Sequence, residues 1–481
     1  MKIKLPIPIV WTLRLFLFAL GSFGIGFGQN REMVLPEIDA LIQPLIEKGA
    51  PGCVVGVIQD KAFIHQKAYG LANLDYDIPL NPNSVFRIAS TSKQFTAACI
   101  FLLEIQGKLN LNDDIHLYLK DFPHYDQPIR IHNLIYHTSG IRDYTGLFYL
   151  CGWEDDYPYS AQDLYFLICR QKALDFEPGS QFSYSNSGYY LLGKIVEVIT
   201  GKSLNQYAQA NIFGPLGMGQ THFHDNHRMV VKNRAYGYSR QGEHFQIAMS
   251  QNDVVGDGGI FTNLDDLLRW DTNFCAPKIG GPNWLARMET PGKLRDGAQV
   301  PYAGGLFIRQ YRGLKKINHT GWYAGFKSSM TRFPQAGVTI IILANNPDLA
   351  PPVLTNQIAE IVLKDRLAPR AVAKPKESEP PSDPKPPQPI PASLRKALVG
   401  RFFCPELNHT YELFEENGKL KCKISPTKIT EVLVGEANTL HVDPEIRLTP
   451  NGATSGNVSG FSLAVGDSHN IQFQRNPEPQ K

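Results

Sequence analysis

The 481-residue sequence has no working excess of either charge: Lys+Arg 48 against Asp+Glu 45 leaves +3. The first 28 residues hold Lys2, Lys4 and Arg14 and no acid, so the rest of the chain is neutral. A chain that binds nucleic acid carries a clear basic surplus, so nucleic acid is not an expected partner. Cysteine is sparse and scattered. The seven cysteines include no CxxC pair and no zinc-like spacing, which removes the metal-finger reading. An odd count leaves at least one thiol unpaired; Cys404 and Cys422 fall in one predicted sheet region and are the two placed to pair. At 43% hydrophobic and 19% charged, the composition is that of a globular protein and excludes disordered, collagen-like and multi-span membrane chains. The length allows two to four units at ~100–200 residues each.

The N-terminus reads as an export signal. Lys2, Lys4 and Arg14 form a basic region ahead of the thirteen apolar or small residues Leu15–Phe27, and Gly26 and Gly28 suit a cleavage site. Thirteen residues fall short of the ~20 that span a bilayer. The expectation is a signal peptide over residues 1–28 and an exported product, periplasmic or secreted, starting at Gln29 and keeping no stable membrane span. No cysteine follows the segment to take a lipid.

Composition changes sharply once. Pro369–Pro391 holds nine prolines among charges, too polar and stiff to bury a core. The chain therefore divides into a body (29–367), a Pro-rich linker (368–392) and a tail (393–481). In the body, strands are expected at Val54–Ile58, Ala62–Ala68, Gly305–Arg309, Lys315–His319, Ser328–Phe333 and Gly337–Leu343. Helices are expected at Lys93–Gln106, Tyr189–Thr200 and Asp265–Thr272, the last opened by a capping-box-like Thr262-Asn-Leu-Asp265. Outer strands around a helical block indicate an α/β or α+β body. The tail alternates like a small antiparallel barrel or sandwich, with a hairpin at Glu416-Asn417-Gly418.

Three stretches carry chemistry. In Phe86-Arg-Ile-Ala-Ser90-Thr-Ser-Lys93, a serine and a lysine three apart share one helical face. A serine hydroxyl needs a neighbouring base, and burial with a helix N-terminus favours the neutral amine. The same spacing at Ser393–Lys396 is read as chance. In Pro178-Gly-Ser-Gln-Phe-Ser-Tyr184-Ser-Asn186, a phenol and an amide two apart can project together from an extended loop. A cationic lysine would draw the phenol towards phenolate, a proton shuttle, and the amide can orient lysine and substrate. In Ile317-Asn-His319-Thr320-Gly321-Trp322, at a strand end, His and Thr can meet a substrate anion while Gly admits close backbone approach.

Together these resemble the serine β-lactamase and penicillin-binding-protein family, and more narrowly its class C β-lactamase-like branch. That branch includes D-alanyl-D-alanine carboxypeptidases, D-aminopeptidases and family VIII esterases. His137-Thr-Ser-Gly140, Pro215-Leu-Gly-Met218 and Gly256-Asp-Gly-Gly-Ile-Phe-Thr add to the likeness, which covers about Leu35 to Leu363. It implies a β-lactamase/transpeptidase-like body, an antiparallel sheet with helices on both faces plus a helical subdomain, and a small all-β C-terminal domain. It also implies a two-step acyl transfer without metal or cofactor. Ser90 would be the nucleophile, Lys93 and Tyr184 would move protons, and Asn186, His319, Thr320 and Gly321 would contact the substrate. The backbone N–H groups of Ser90 and Trp322 would form the oxyanion hole. The substrate is expected to be a small molecule or peptide, peptidoglycan-derived ones included.

His319 departs from the class C β-lactamases, which carry Lys there. A mostly neutral imidazole argues against efficient β-lactam hydrolysis and for peptidase ahead of esterase. His319, Thr320 and Arg332 are the candidates for a substrate carboxylate, and Trp322 and Tyr323 suit an apolar group. The reading of another class, an inactive binding or regulatory protein, has intact Ser90, Lys93 and Tyr184 against it. His137 reads as turn support. The cluster His222, His224, Asp225 and His227 reads as a solvated loop rather than a metal site.

Overall fold

The computed structural model describes residues 35–153, 157–370, 390–435, 439–451 and 458–476. The segment read as a signal peptide and residues 371–389 of the expected linker lie outside them. Among the described residues no helix is long and apolar enough to cross a membrane.

The body is built on six antiparallel strands. They are β1 (Cys53–Gln59), β2 (Ala62–Tyr69), β3 (Phe307–Tyr311), β4 (Leu314–Tyr323), β5 (Phe326–Phe333) and β6 (Val338–Ala344), in the order β3-β4-β5-β6-β1-β2. β1 reads CVVGVIQ and is buried on both faces up to its last residue, the continuous apolar run of a strand covered from two sides. It pairs with β6 from Cys53↔Ala344 to Gln59↔Val338, so the first and last thirds of the body close one sheet. The strand period of two sends alternate residues to opposite faces. Val55, Val57, Ile340 and Ile342 pack against α1 (Pro36–Ile42) and the C-terminal helix Pro351–Val362. Val54, Ile58, Ile341 and Leu343 join the core under the central helices.

Two of those helices position the site: α2 (Lys93–Ile105) and α3 (Asn186–Thr200). α2 is the central one, with eleven of its thirteen residues buried. α3 opens at an N-cap, Ser185, and ends on Gly201 in the left-handed conformation, a usual helix stop. It begins at Asn186, so Asn186 lies in the first helical turn rather than in an extended loop. The helix Leu264–Cys275 starts one residue later than the capping pattern suggests. Its cap is Asn263, whose side chain accepts from Asp266 N at 3.0 Å, while Thr262 ends a strand.

Beyond the linker, nine antiparallel strands between Gly400 and Arg475 form a nearly closed sheet. The expected hairpin is there: His409–Glu416 and Lys419–Lys423 meet at Asn417 and Gly418, both at positive φ, as a two-residue hairpin turn requires. All seven cysteines are free, so Cys404 and Cys422 are two buried thiols rather than a bridge. Ser393 and Lys396 are exposed on the short helix Ala392–Leu398, away from the body core.

Candidate active site

A three-stranded sheet of two- and three-residue strands, Phe86–Arg87, Ile260–Thr262 and His222–Phe223, fixes the approach to α2. Ile88 N donates to Ile260 O at 2.9 Å, and Ile260 N donates to Ser92 Oγ at 3.1 Å. The chain then makes a 3-10 turn over Ala89–Ser92. Ala89 has φ +46°, a left-handed conformation costing a residue with a side chain roughly 1–2 kcal/mol. Such strain persists where surrounding contacts over-determine the backbone. Here Ser328 Oγ donates to Ile88 O at 2.7 Å and lies 2.9 Å from Thr91 Oγ1, tying the turn to β5.

Lys93 opens α2 with no exposed surface. Its Nζ lies 3.1 Å from Ser90 Oγ, 2.7 Å from Asn186 Oδ1 and 2.6 Å from the Asp257 carbonyl oxygen. Asp143 holds the amide in place: its Oδ2 accepts from Asn186 N at 2.6 Å and from Asn186 Nδ2 at 3.0 Å, which turns the amide oxygen to the lysine. Burial lowers the Lys93 pKa to about 8 against the opposing pull of the Asp257 and Asp143 carboxylates. The Asp257 carboxyl is itself pushed up by burial and accepts from Tyr144 OH at 2.7 Å.

Tyr184 joins the group by its ring, with Lys93 Nζ 4.9 Å from the ring centroid. The expected drift towards phenolate does not occur. Burial drives the Tyr184 pKa well above 10, with the Ser90 hydroxyl pulling the other way. The Tyr184 hydroxyl is buried and outside hydrogen-bonding geometry to any described group. Ser90 is its polar neighbour. The segment is pinned by His137, whose ring lies 4.4 Å from that of Tyr184 and whose Nδ1 accepts from Ser185 N at 3.0 Å. Burial keeps His137 neutral.

The His-Thr-Gly triplet is inside a strand rather than at its end, because β4 runs on to Tyr323. The ladder to β3 stops at Phe307↔Asn318, so residues 319–323 present an open edge to the Ser90 turn. At Gly321 a Cβ would lie 2.2 Å from Ile88 O; the strand approaches the turn this closely only without a side chain. His319 is 2% exposed. Burial takes it down to about 3, and both ring nitrogens are engaged, Nε2 2.9 Å from Tyr302 OH and Nδ1 2.6 Å from Thr320 O. The neutral imidazole expected there is present, turned inward. Arg332 is no free cation, since it pairs with Glu289 at 3.0 Å and Asp271 at 3.3 Å.

Ser90 opens onto a cleft of about 590 Å³. Tyr144, Phe148, Trp153, Trp322 and Tyr323 line it, with Arg87, Asp143 and Asp257 among them and Glu445, Val465 and Gly466 contributed by the C-terminal sheet. Asp143, Asp257, Tyr302 and Arg87 are the site residues that sequence reasoning left without a role. Asp257 lay within the quoted Gly256-Asp-Gly-Gly signature and Arg87 within the quoted Phe86–Lys93 stretch, whereas nothing local marks Asp143 and Tyr302. The histidine cluster is not a solvated loop. His224 is buried, drops to about 4 through burial, and lies 3.1 Å from His222, while His227 pairs with Asp253. Among the described residues no group of three or more His, Cys, Asp or Glu is placed to hold a metal ion.

The sequence and the fold have known counterparts. The chain is 31% identical over 279 residues to a D-aminopeptidase of Brucella anthropi, a match covering 58% of this chain and 52% of that protein. It thus spans about half the length of that relative. Penicillin-binding protein 4* of Bacillus subtilis is 28% identical over 327 residues, covering 65% and 72%. Among solved structures, an octameric penicillin-binding protein homologue from Pyrococcus abyssi superposes with a TM-score of 0.60 at 20% identity, over 91% of this chain and 97% of that one. D-amino acid amidase from Ochrobactrum anthropi does so with a TM-score of 0.59 at 20% identity, over 69% and 100%. A family model for Beta-lactamase matches residues 38–362, from α1 through the last helix of the body, and the chain belongs to the β-lactamase family.

Proposed function

We propose that the protein is an exported serine hydrolase that works through an acyl-enzyme on Ser90, cleaving amide bonds next to D-amino acids in preference to esters. One observation carries the reading: a buried lysine whose nitrogen is shared between Ser90 Oγ and two oxygens that can only accept. As a neutral amine, Lys93 keeps its N–H bonds to Asn186 Oδ1 and Asp257 O and turns its lone pair to the third direction, towards Ser90. It then takes the hydroxyl proton as Oγ attacks the carbonyl carbon. Tyr184, protonated at rest, hands a proton to the leaving nitrogen. Water attacks the ester in turn, its proton passing back through the same groups, and Ser90 is regenerated. The open edge of β4 supports an oxyanion hole from the N–H groups of Ser90 and Trp322, where losing one donor costs ~10²–10³ in rate. The D-aminopeptidase and D-amino acid amidase likenesses favour the D-amino acid substrate. The mixture of acids and aromatics in the cleft suits an ammonium group beside an apolar side chain. The neutral, inward-facing His319 leaves no cation where a β-lactam carboxylate would need one.

The test is one panel of D-aminoacyl amides, D-Ala-D-Ala peptides, short p-nitrophenyl esters and a chromogenic cephalosporin, run on wild type and Ser90→Ala. D-amide turnover above ester turnover, little cephalosporin turnover and loss of all of it in the variant are expected, together with a fluorophosphonate adduct on the Ser90 peptide. Rapid cephalosporin hydrolysis would contradict the role given to His319. Export is read from the N-terminal segment, and the mature N-terminus of the secreted or periplasmic product checks it.

A further inference from the structure

Four lysines and arginines of the described chain are buried, and three have their charge answered inside the protein. Lys93 has its three acceptors. Arg142 faces Glu406 and Asp175, and Arg332 faces Asp271 and Glu289. Arg87, 6% exposed, has none. No carboxylate lies within ion-pair distance of its guanidinium among the described residues, and its Nε is buried without a hydrogen-bond partner. Its guanidinium lies 4.6 Å from the centroid of the Tyr323 ring and near His224, whose protonation its charge opposes. Burying a guanidinium beside a ring face and an imidazole, with no carboxylate to answer it, is unfavourable unless an anion completes the site. Arg87 lines the same cleft as Ser90, three residues along the chain, with Tyr323 beside Trp322. Of the other residues considered for an anion, His319 and Arg332 are occupied elsewhere, and Thr320 carries no charge.

We infer that Arg87 binds a carboxylate of the substrate, so that this hydrolase selects anionic substrates. The inference rests on the hydrolase reading above and adds the residue that determines selectivity. A planar guanidinium held flat by an aromatic ring presents its remaining N–H groups as a fork to a carboxylate. That carboxylate belongs either to the departing residue, as a free C-terminus, or to the acyl side, as an acidic substituent.

Two matched pairs separate these sources: N-acetyl-D-Ala-D-Ala against its C-terminal amide, and succinyl-D-Phe p-nitroanilide against acetyl-D-Phe p-nitroanilide. In one pair wild type is expected to favour the acid by tenfold or more in kcat/KM, chiefly through KM. Arg87→Met brings that ratio close to one, and Arg87→Lys retains part of it. A wild-type ratio near one in both pairs overturns the inference. So does an Arg87→Met variant that loses acid and neutral substrates in parallel, as a purely structural arginine would. If Arg87→Met does not fold, the wild-type ratios and Arg87→Lys still decide. Equilibrium binding of the same pairs to Ser90→Ala protein keeps the two readings apart. Acid-selective binding without wild-type turnover would sink the hydrolase reading alone, and turnover without acid selectivity would sink the anchor alone.

Discussion

At Lys93 the two shortest contacts go to carbonyl oxygens, and these fix what the third direction can do. An ammonium points a hydrogen at Ser90 and leaves the hydroxyl unactivated; an amine points a lone pair and activates it. With the Lys93 pKa lowered to about 8, the competent form is the minor one at neutral pH and the major one above. The sign follows: kcat/KM on an uncharged ester should rise about tenfold per pH unit below pH 8 and level off beyond it. Tyr184 is protonated in the resting enzyme across this pH range, because burial lifts it well above 10. A pH–rate profile flat between 6 and 9 would remove Lys93 as the base. Much of this residue-scale site was legible in the sequence. The Ser90–Lys93 spacing, Tyr184, Asn186 and the His-Thr-Gly triplet all come to one place, because short motifs whose parts must meet leave local patterns. Arg87 and Asp143 were not legible as site residues. Each takes its meaning from partners far along the chain, or from the lack of one, and no window of sequence records that.

At the scale of elements, the site is a meeting of one turn and one strand edge. Gly321 sets how near they come. Gly321→Ala places a methyl group within 2.2 Å of Ile88 O, so strand and turn must separate by about 1 Å, a displacement that can cost ~10² in rate. The expected outcome is acylation slowed about a hundredfold by stopped-flow labelling, with unchanged far-ultraviolet circular dichroism. Acylation within threefold of wild type would mean that the edge of β4 takes no part. The same glycine explains the largest error in reading the strands. A pattern that ends β4 at His319 treats Thr320-Gly321 as a breaker, since glycine weakens a strand unless another backbone approaches it. Here one does, and the strand continues to Tyr323. The two misplaced helix starts, at Asn186 and at Leu264, share another cause. Ser185 and Asn263 each offer a capping oxygen upstream of the starts that the apolar periodicity favours, Tyr189 and Asp265, and the cap decides.

Across the whole molecule, the tail is less separate than its proline-rich connection suggests. Arg142 is 1% exposed, contacts Glu406 and donates to His469 O at 3.1 Å, both from the C-terminal sheet. Tyr411 OH donates to Leu150 O at 2.6 Å. Asp175 accepts from His469 N and Ser468 Oγ, each at 3.0 Å, and Ser183 Oγ donates to Asp467 at 2.7 Å. The turn at 467–469 thereby holds the loop that ends at Tyr184, and Val465 and Gly466 of the same hairpin line the cleft. Removing one partner of a buried pair leaves a charge uncompensated at about 3–5 kcal/mol; with Asp175 remaining beside Arg142, the cost of Glu406→Leu should be nearer 2–4 kcal/mol. Glu406→Gln keeps an acceptor and should lose less. Chemical denaturation measures both. Deleting residues 393–481 is a stronger version of the same cut. It uncovers Arg142 and Leu150 and frees the Tyr184 loop, so the shortened body should be poorly soluble or, if soluble, should fall at least tenfold in kcat. A truncated body with wild-type stability and unchanged kcat would show that the sheet serves the enzyme only as an appendage, and that Tyr184 is held by His137 alone.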